Sequence, residues 1–209
     1  MIRDDLSDRL VHLTKGTTEK EVADRFMSIV REKTLLGGTG LIRGGHRCVC
    51  FSEAPISKLG AILAEPSIHG MPYAPFGVML AKTTLFAVGG RPVIYQPESE
   101  FDMLHDSQRY RHKDYEPGKE PDFTWEREWR VPVDRLSLDP AEVTLVVPNR
   151  RWSDHLFDQH AGNLKSAVLL FDQDMAFGIN RYPWHFLVLE DLGIPVKFDH
   201  VPGCDELAV

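Results

Sequence analysis

The chain has 209 residues, 43% apolar and 26% charged, enough for one well-packed core and too short for two full domains. Its 31 acidic against 24 basic residues leave a formal charge of −7, which argues against non-specific binding to phosphate backbones, because such binding needs a cationic surface. No run of about 18 apolar residues spans a bilayer, and Met1 to Leu6 lack the apolar stretch of a signal peptide, so a cytoplasmic protein with no membrane partner is expected.

In chain order, Leu10 to Thr14 reads as a short strand with His12 and Thr14 on one side. Thr18-Glu19-Lys20-Glu21 has the spacing of a capping box, and Val22, Phe26, Ile29 and Val30 form an apolar stripe behind it. A helix ending near Lys33 is predicted. The glycines of Gly37-Gly38-Thr39-Gly40 and Gly44-Gly45 match no phosphate-binding spacing and read as turns. Arg47 to Ser52 predicts a strand running to Pro55, and Ser57 caps a short helix through Leu63. Phe76 to Lys82 reads as a buried strand and Pro92 to Tyr95 as another. From Glu98 to Asp122 the chain turns polar, which predicts a mobile loop with some helix near Phe101 to Leu104, a candidate lid.

Trp125 to Val133 returns to alternation, with Trp125, Arg127 and Trp129 on one side and Glu126, Glu128 and Arg130 on the other. Val143 to Val147, Ala167 to Phe171 and Trp184 to Leu189 read as further strands, and Asn149 to Trp152 opens a helix containing Leu156 and Phe157. The sum is an α+β fold, a single domain over residues 1–209, with a mixed or antiparallel sheet core and peripheral helices.

Several of these residues carry chemistry. Glu126 and Glu128 on one strand face would stand about 7 Å apart. Two carboxylates in one cleft repel, so one changes its proton affinity or takes a cationic partner such as Arg130. The plainer reading is a ladder of ion pairs on a strand face, with Trp125 and Trp129 anchoring the other side. His12 and Thr14 offer an imidazole and a hydroxyl together, suited to a ribose or an amide; a structural histidine is the alternative. Ser52 lies where a strand meets a turn, without the G-x-S-x-G elbow of a hydrolase. Cys48, Cys50 and Cys204 lack paired C-x-x-C spacing, so no metal site is predicted, and Cys48 and Cys50 read as buried thiols.

The ordered set Cys50-Phe51-Ser52-Glu53-Ala54-Pro55, Phe76-Gly77-Val78 with Lys82, Gly90-Arg91-Pro92-Val93-Ile94-Tyr95 and Trp125-x-x-Glu128-Trp129-Arg130 resembles the AbiGi-type abortive-infection phage-resistance family, over residues 8–135. More distantly the chain resembles the ADP-ribosyltransferase fold, which implies a core split into two sheets around a cleft and NAD as co-substrate. Carried over residue by residue, His12 with Thr14 would hold the NAD ribose and nicotinamide side, Ser52 would be the central-strand serine, and Glu128 the catalytic glutamate. Glu126 would be the first member of an E-x-E pair. Ser52 is followed by Glu-Ala-Pro rather than Thr-Ser, which leaves nicotinamide stacking to Tyr73 or Tyr95. The resemblance implies transfer of ADP-ribose to a macromolecular acceptor, protein or nucleic acid, by a phage-defence or toxin-antitoxin effector. The alternative is a non-catalytic, antitoxin-like component that binds a cognate antitoxin or another defence-system partner.

Overall fold

The computed structural model describes residues 7–55, 73–120, 122–170 and 182–194, together with Lys58, Gly60, Leu63, Val196, Phe198, His200 and Val201; from 164 to 170 only the backbone is described. Eleven strands are described: β1 (Arg9–Lys15), β2 (Thr34–Leu36), β3 (Val49–Ser52), β4 (Tyr73–Ala81), β5 (Arg91–Pro92), β6 (Ile94–Gln96), β7 (His112–Asp114), β8 (Glu128–Val131), β9 (Arg135–Ser137), β10 (Thr144–Val147) and β11 (His185–Val188). They accompany three helices, α1 (Glu19–Glu32), α2 (Lys82–Ala87) and α3 (Arg150–Leu170). Seven strands make one mixed sheet in the order β11-β10-β4-β1-β3-β8-β5, antiparallel except for the parallel β10 and β11. Two small sheets pair β2 with β9 and β6 with β7. The fold is α+β, as the composition and patterning predict.

Central strands of a sheet covered on both faces read as continuous apolar runs, and β4 is buried from Ala74 to Leu80. On one face Leu10, Phe76, Val78, Leu145 and Val147 pack with Val22, Ala23 and Phe26 of α1 and with Trp152 and Leu156 of α3. The other face carries a smaller cluster of Val11, Leu13, Met79, Val146 and Leu189. β1 lies close against β4: a Cβ on Gly77 would stand 2.2 Å from the His12 carbonyl oxygen, so only glycine fits there.

α1 begins at Thr18, whose hydroxyl accepts from the Glu21 amide at 3.2 Å. The Glu21 carboxylate reaches one residue further back than the capping box predicts, taking the Thr17 amide at 3.0 Å and hydroxyl at 2.8 Å. The helix stops at Lys33, in the left-handed region at φ 49°. α3 starts after Asn149, whose side chain accepts from the Trp152 amide at 3.3 Å.

Four expectations differ from the structure. The strand expected from Trp125 begins only at Glu128: Thr124–Glu126 form a 3-10 turn and Arg127 adopts φ 45°, which breaks the alternation. The Glu98 to Asp122 segment carries two 3-10 helices, Glu98–Met103 and Asp106–Arg111, and then β7, because Phe101, Tyr110 and His112 are buried and anchor it. Ala167 to Leu170 belong to α3, since local β-propensity loses to a helix already running. Pro92 to Tyr95 divides into β5 and β6, which enter different sheets. The predicted helix from Ser57 lies largely outside the described residues, as does Cys204. Among the described residues no helix is long and apolar enough to cross a membrane.

Candidate functional site

β1 is registered with β4 from Arg9 to Lys15 but with β3 only at Val11 and Ser52. Beside that short junction lies a cavity of about 130 Å³, lined among others by His12, Lys15, Cys50, Ser52, Tyr73, Glu126 and Glu128. Ser52 pairs with Val11 on one side and Glu128 on the other, so both project to the face that carries Val11. Leu41 and Trp125, 63% and 46% exposed, complete the wall and give it an apolar rim open to solvent. Ser52, Glu126 and Glu128 share this recess, and His12 borders it from the other face of the sheet, where it pairs with Val78 and stands edge-on to Phe51 at 5.8 Å between centroids.

His12 donates Nδ1–H to the Cys50 carbonyl at 2.8 Å, which makes Nε2 the lone-pair nitrogen of a neutral ring. Burial lowers its pKa, the Cys50 bond partly offsets this, and the Lys15 charge adds to the lowering. Ser52 has a supporting position: its hydroxyl donates to the Glu126 carbonyl at 2.7 Å and accepts from the Ala54 amide at 3.1 Å. Together with the Glu53 amide, 3.2 Å from the same carbonyl, it clamps the turn that carries Glu126.

The two carboxylates differ in kind. Burial raises the proton affinity of Glu126, against a hydrogen bond donated by the Tyr73 hydroxyl, and the Glu128 charge raises it further. Burial acts the same way on Glu128, but Arg130 overrides it and Lys113 assists, so the Glu128 carboxyl is held below the usual range. Arg130 grips Glu128 in a fork, Nε to Oε1 at 2.8 Å and Nη2 to Oε2 at 3.1 Å. Burial pushes the Tyr73 hydroxyl and the Cys50 thiol up, so both stay protonated, and the Cys50 thiol sits beside the Glu128 carboxylate. Cys48 is likewise raised, to about 11, by burial.

No family model, curated protein or solved structure matches this chain. The chemistry of the recess rests on its geometry. One carboxylate has its proton affinity raised and the other has it lowered, in a partly buried niche beside a neutral imidazole. Environments that push two like groups apart divide acid-base roles between them.

Two candidates, Thr14 and Tyr95, stand outside the cavity wall. Thr14 is buried and donates to the Phe76 carbonyl at 3.0 Å, so it joins β1 to β4 rather than bordering the recess with His12. Tyr95 stands behind β8, accepting from the Glu128 amide at 3.2 Å and donating to the Phe123 carbonyl at 3.4 Å. Its hydroxyl is raised to about 12 by burial. Trp125 is no anchor for the opposite face; it lines the recess, edge-on to Tyr73 at 6.3 Å between centroids. Trp129 does anchor that face, with its indole N–H donating to Glu53 at 2.9 Å. Sequence reasoning missed Lys15 and Lys113 as wall residues and Tyr73 as the partner of Glu126. Tyr73 stands 53 positions from Glu126, and no local pattern links them.

Proposed function

We propose that this recess binds the nicotinamide-ribose end of NAD and transfers ADP-ribose to a macromolecular acceptor. The observation that carries this reading is the convergence of Ser52, Glu126 and Glu128 in one cavity bordered by His12, with Glu126 and Glu128 pushed to opposite proton affinities. In the reaction the bond from C1′ of the ribose to the nicotinamide nitrogen breaks, and its electron pair leaves with nicotinamide. A nucleophile of the acceptor bonds to C1′ and releases a proton.

Glu128, fixed as an anion by Arg130, stabilises the positive charge that develops at C1′, where an oriented charge acts mainly on the transition state. Arg130 takes two of its roughly four lone-pair positions, leaving room to accept a ribose hydroxyl. Glu126, with its raised proton affinity, accepts the proton of the nucleophile. The resemblance to phage-resistance proteins suggests a defence or toxin-antitoxin effector as the biological setting.

A second reading has its own observation. A forked Arg130–Glu128 pair is also what a structural ion pair looks like, and the exposed Leu41 and Trp125 would suit an antitoxin or other defence-system partner. The two readings separate with NAD labelled in its adenylate part, incubated with cell lysate and the wild-type, Glu126→Gln or Glu128→Gln protein. Transfer predicts label on protein or nucleic acid that falls about 100-fold or more in each variant. Label equal in all three proteins, or none, rejects it; a stable partner complex that survives both substitutions then favours the binding reading.

A further inference from the structure

The recess is one half of a longer groove. A second cavity of about 510 Å³ adjoins it, with Leu41, Lys113 and Phe123 as the common wall. Small-molecule sites fall at about 300–1,000 Å³ and combine apolar walls with a few polar groups. Here Ile42, Tyr115 and Phe123 supply flat and aliphatic surface, while Glu116 and Glu120 offer acceptors for hydroxyl groups.

Its cations are committed, with one exception. Arg43 is paired with Glu98 and lies 3.9 Å from the Phe101 ring centroid. Lys119 holds Asp114 at 3.0 Å and Glu116 at 3.5 Å. Lys113 is different. Its side chain is only 9% exposed, the nearest carboxylate oxygen, Glu128 Oε2, is 3.7 Å away, and its other neighbour is the Phe123 ring at 4.0 Å. Although the side chain is largely buried, its ammonium opens to the cavities, and a long ion pair with a ring face leaves its three protons to hydrogen-bond water or a ligand there. This unfilled donor stands where the two cavities adjoin.

We propose that the two cavities hold one nucleotide, with its base and sugar in the larger cavity and a phosphoryl group on the Lys113 ammonium at the waist. This extends the NAD reading, and rests on it for placing the nicotinamide end in the smaller cavity. The phosphoryl oxygens complete the hydrogen bonding of Lys113, whose charge they share with Glu128 Oε2 at 3.7 Å.

Calorimetric titration with ADP and with adenosine tests this without turnover. The wild-type protein should bind ADP at least about tenfold more tightly than adenosine. Lys113→Met should erase that preference and leave adenosine binding unchanged, while Lys113→Arg should keep most of it. Equal affinity of the wild type for both, binding of neither, or a preference that survives Lys113→Met would overturn the proposal. The wild-type comparison stands even if Lys113→Met fails to fold. A Lys113-dependent ADP preference in a protein that transfers no label from NAD would reject transfer and keep this site; Glu126-dependent transfer without that preference would do the reverse.

Discussion

Arg130 is fully buried and hydrogen-bonded to four acceptors: two Glu128 oxygens and the carbonyls of Tyr110 at 2.7 Å and His112 at 2.8 Å. It thereby ties the 3-10 helix and strand before the site to the carboxylate inside it. Removing one partner of a buried pair costs about 3–5 kcal/mol, because the other charge is left uncompensated. Arg130→Met should lose about that much in urea unfolding, and Arg130→Lys most of it, since a lysine cannot reach all four acceptors at once. A loss below about 1 kcal/mol in Arg130→Met would show that Glu128 is not held this way. The two glutamates predict opposite pH behaviour. The raised Glu126 binds its proton more tightly in the folded state, so it removes stability as pH rises from the ordinary glutamate value near 4.5 through its own. Glu126→Gln should match the wild type at acid pH and become the more stable protein across that window. The lowered Glu128 contributes stability that is present above the ordinary value and lost as pH falls through its folded one. Glu128→Gln should flatten the acid limb of the stability profile, and an unchanged limb would count against the Arg130 fork as its cause.

At the scale of elements, the site depends on how closely β1 lies against β4. Gly77→Ala would press a methyl onto the His12 carbonyl and force the strands apart at the histidine that lines the recess. Overpacking of this kind costs about 1–3 kcal/mol, and it should also weaken binding of NAD by displacing His12; unchanged stability would mean that β1 can yield. Thr18→Ala should cost about 1 kcal/mol through the lost cap of α1 and leave binding untouched. These elements were legible because their signals are local: a threonine three residues before a glutamate, an apolar stripe, a continuous apolar run in β4. The site was legible in part for the same reason, since His12, Ser52 and Glu128 sit on short strands that local patterning marks, although their register across β1, β3 and β8 is not local. Misreading begins at Trp125-Glu126-Arg127, where a 3-10 turn and a left-handed Arg127 occupy residues that spell alternation equally well. Glu126 reaches the recess through that turn, so the right residue was named for the wrong geometry. Lys113 and Tyr73 owe their roles to burial by segments distant in sequence, which periodicity does not report.

At the scale of the whole molecule, the groove lies at the β1, β3 and β8 side of a sheet whose other side is closed by the chain's last described residues. Phe198 packs on Phe76 at 4.7 Å between centroids, the Trp152 indole donates to the His200 carbonyl at 3.0 Å, and the His200 amide donates to Glu19 at 3.1 Å. That segment thus joins α3, β4 and the first turn of α1. The same core cluster continues through Val49, Phe51, Trp129 and Val131 to the strands of the recess. If the core is one body, damage at Phe198 must be felt at the site. Phe198→Ala should cost about 3–5 kcal/mol and should still unfold in one transition, with tryptophan fluorescence and far-ultraviolet dichroism coinciding. The probes are well distributed, because Trp125 reports from the recess and Trp129, Trp152 and Trp184 from the main core cluster. Ligand binding supplies the converse test. NAD at a hundred times its dissociation constant should raise the unfolding free energy by about 2.7 kcal/mol, and in a single cooperative body that gain appears in the Phe198→Ala protein as fully as in the wild type. Two separated transitions, with only the recess half shifted by ligand, would mean that the chain's last described segment stabilises a unit of its own, and that the groove is built on β1, β3, β8 and the 3-10 segments alone.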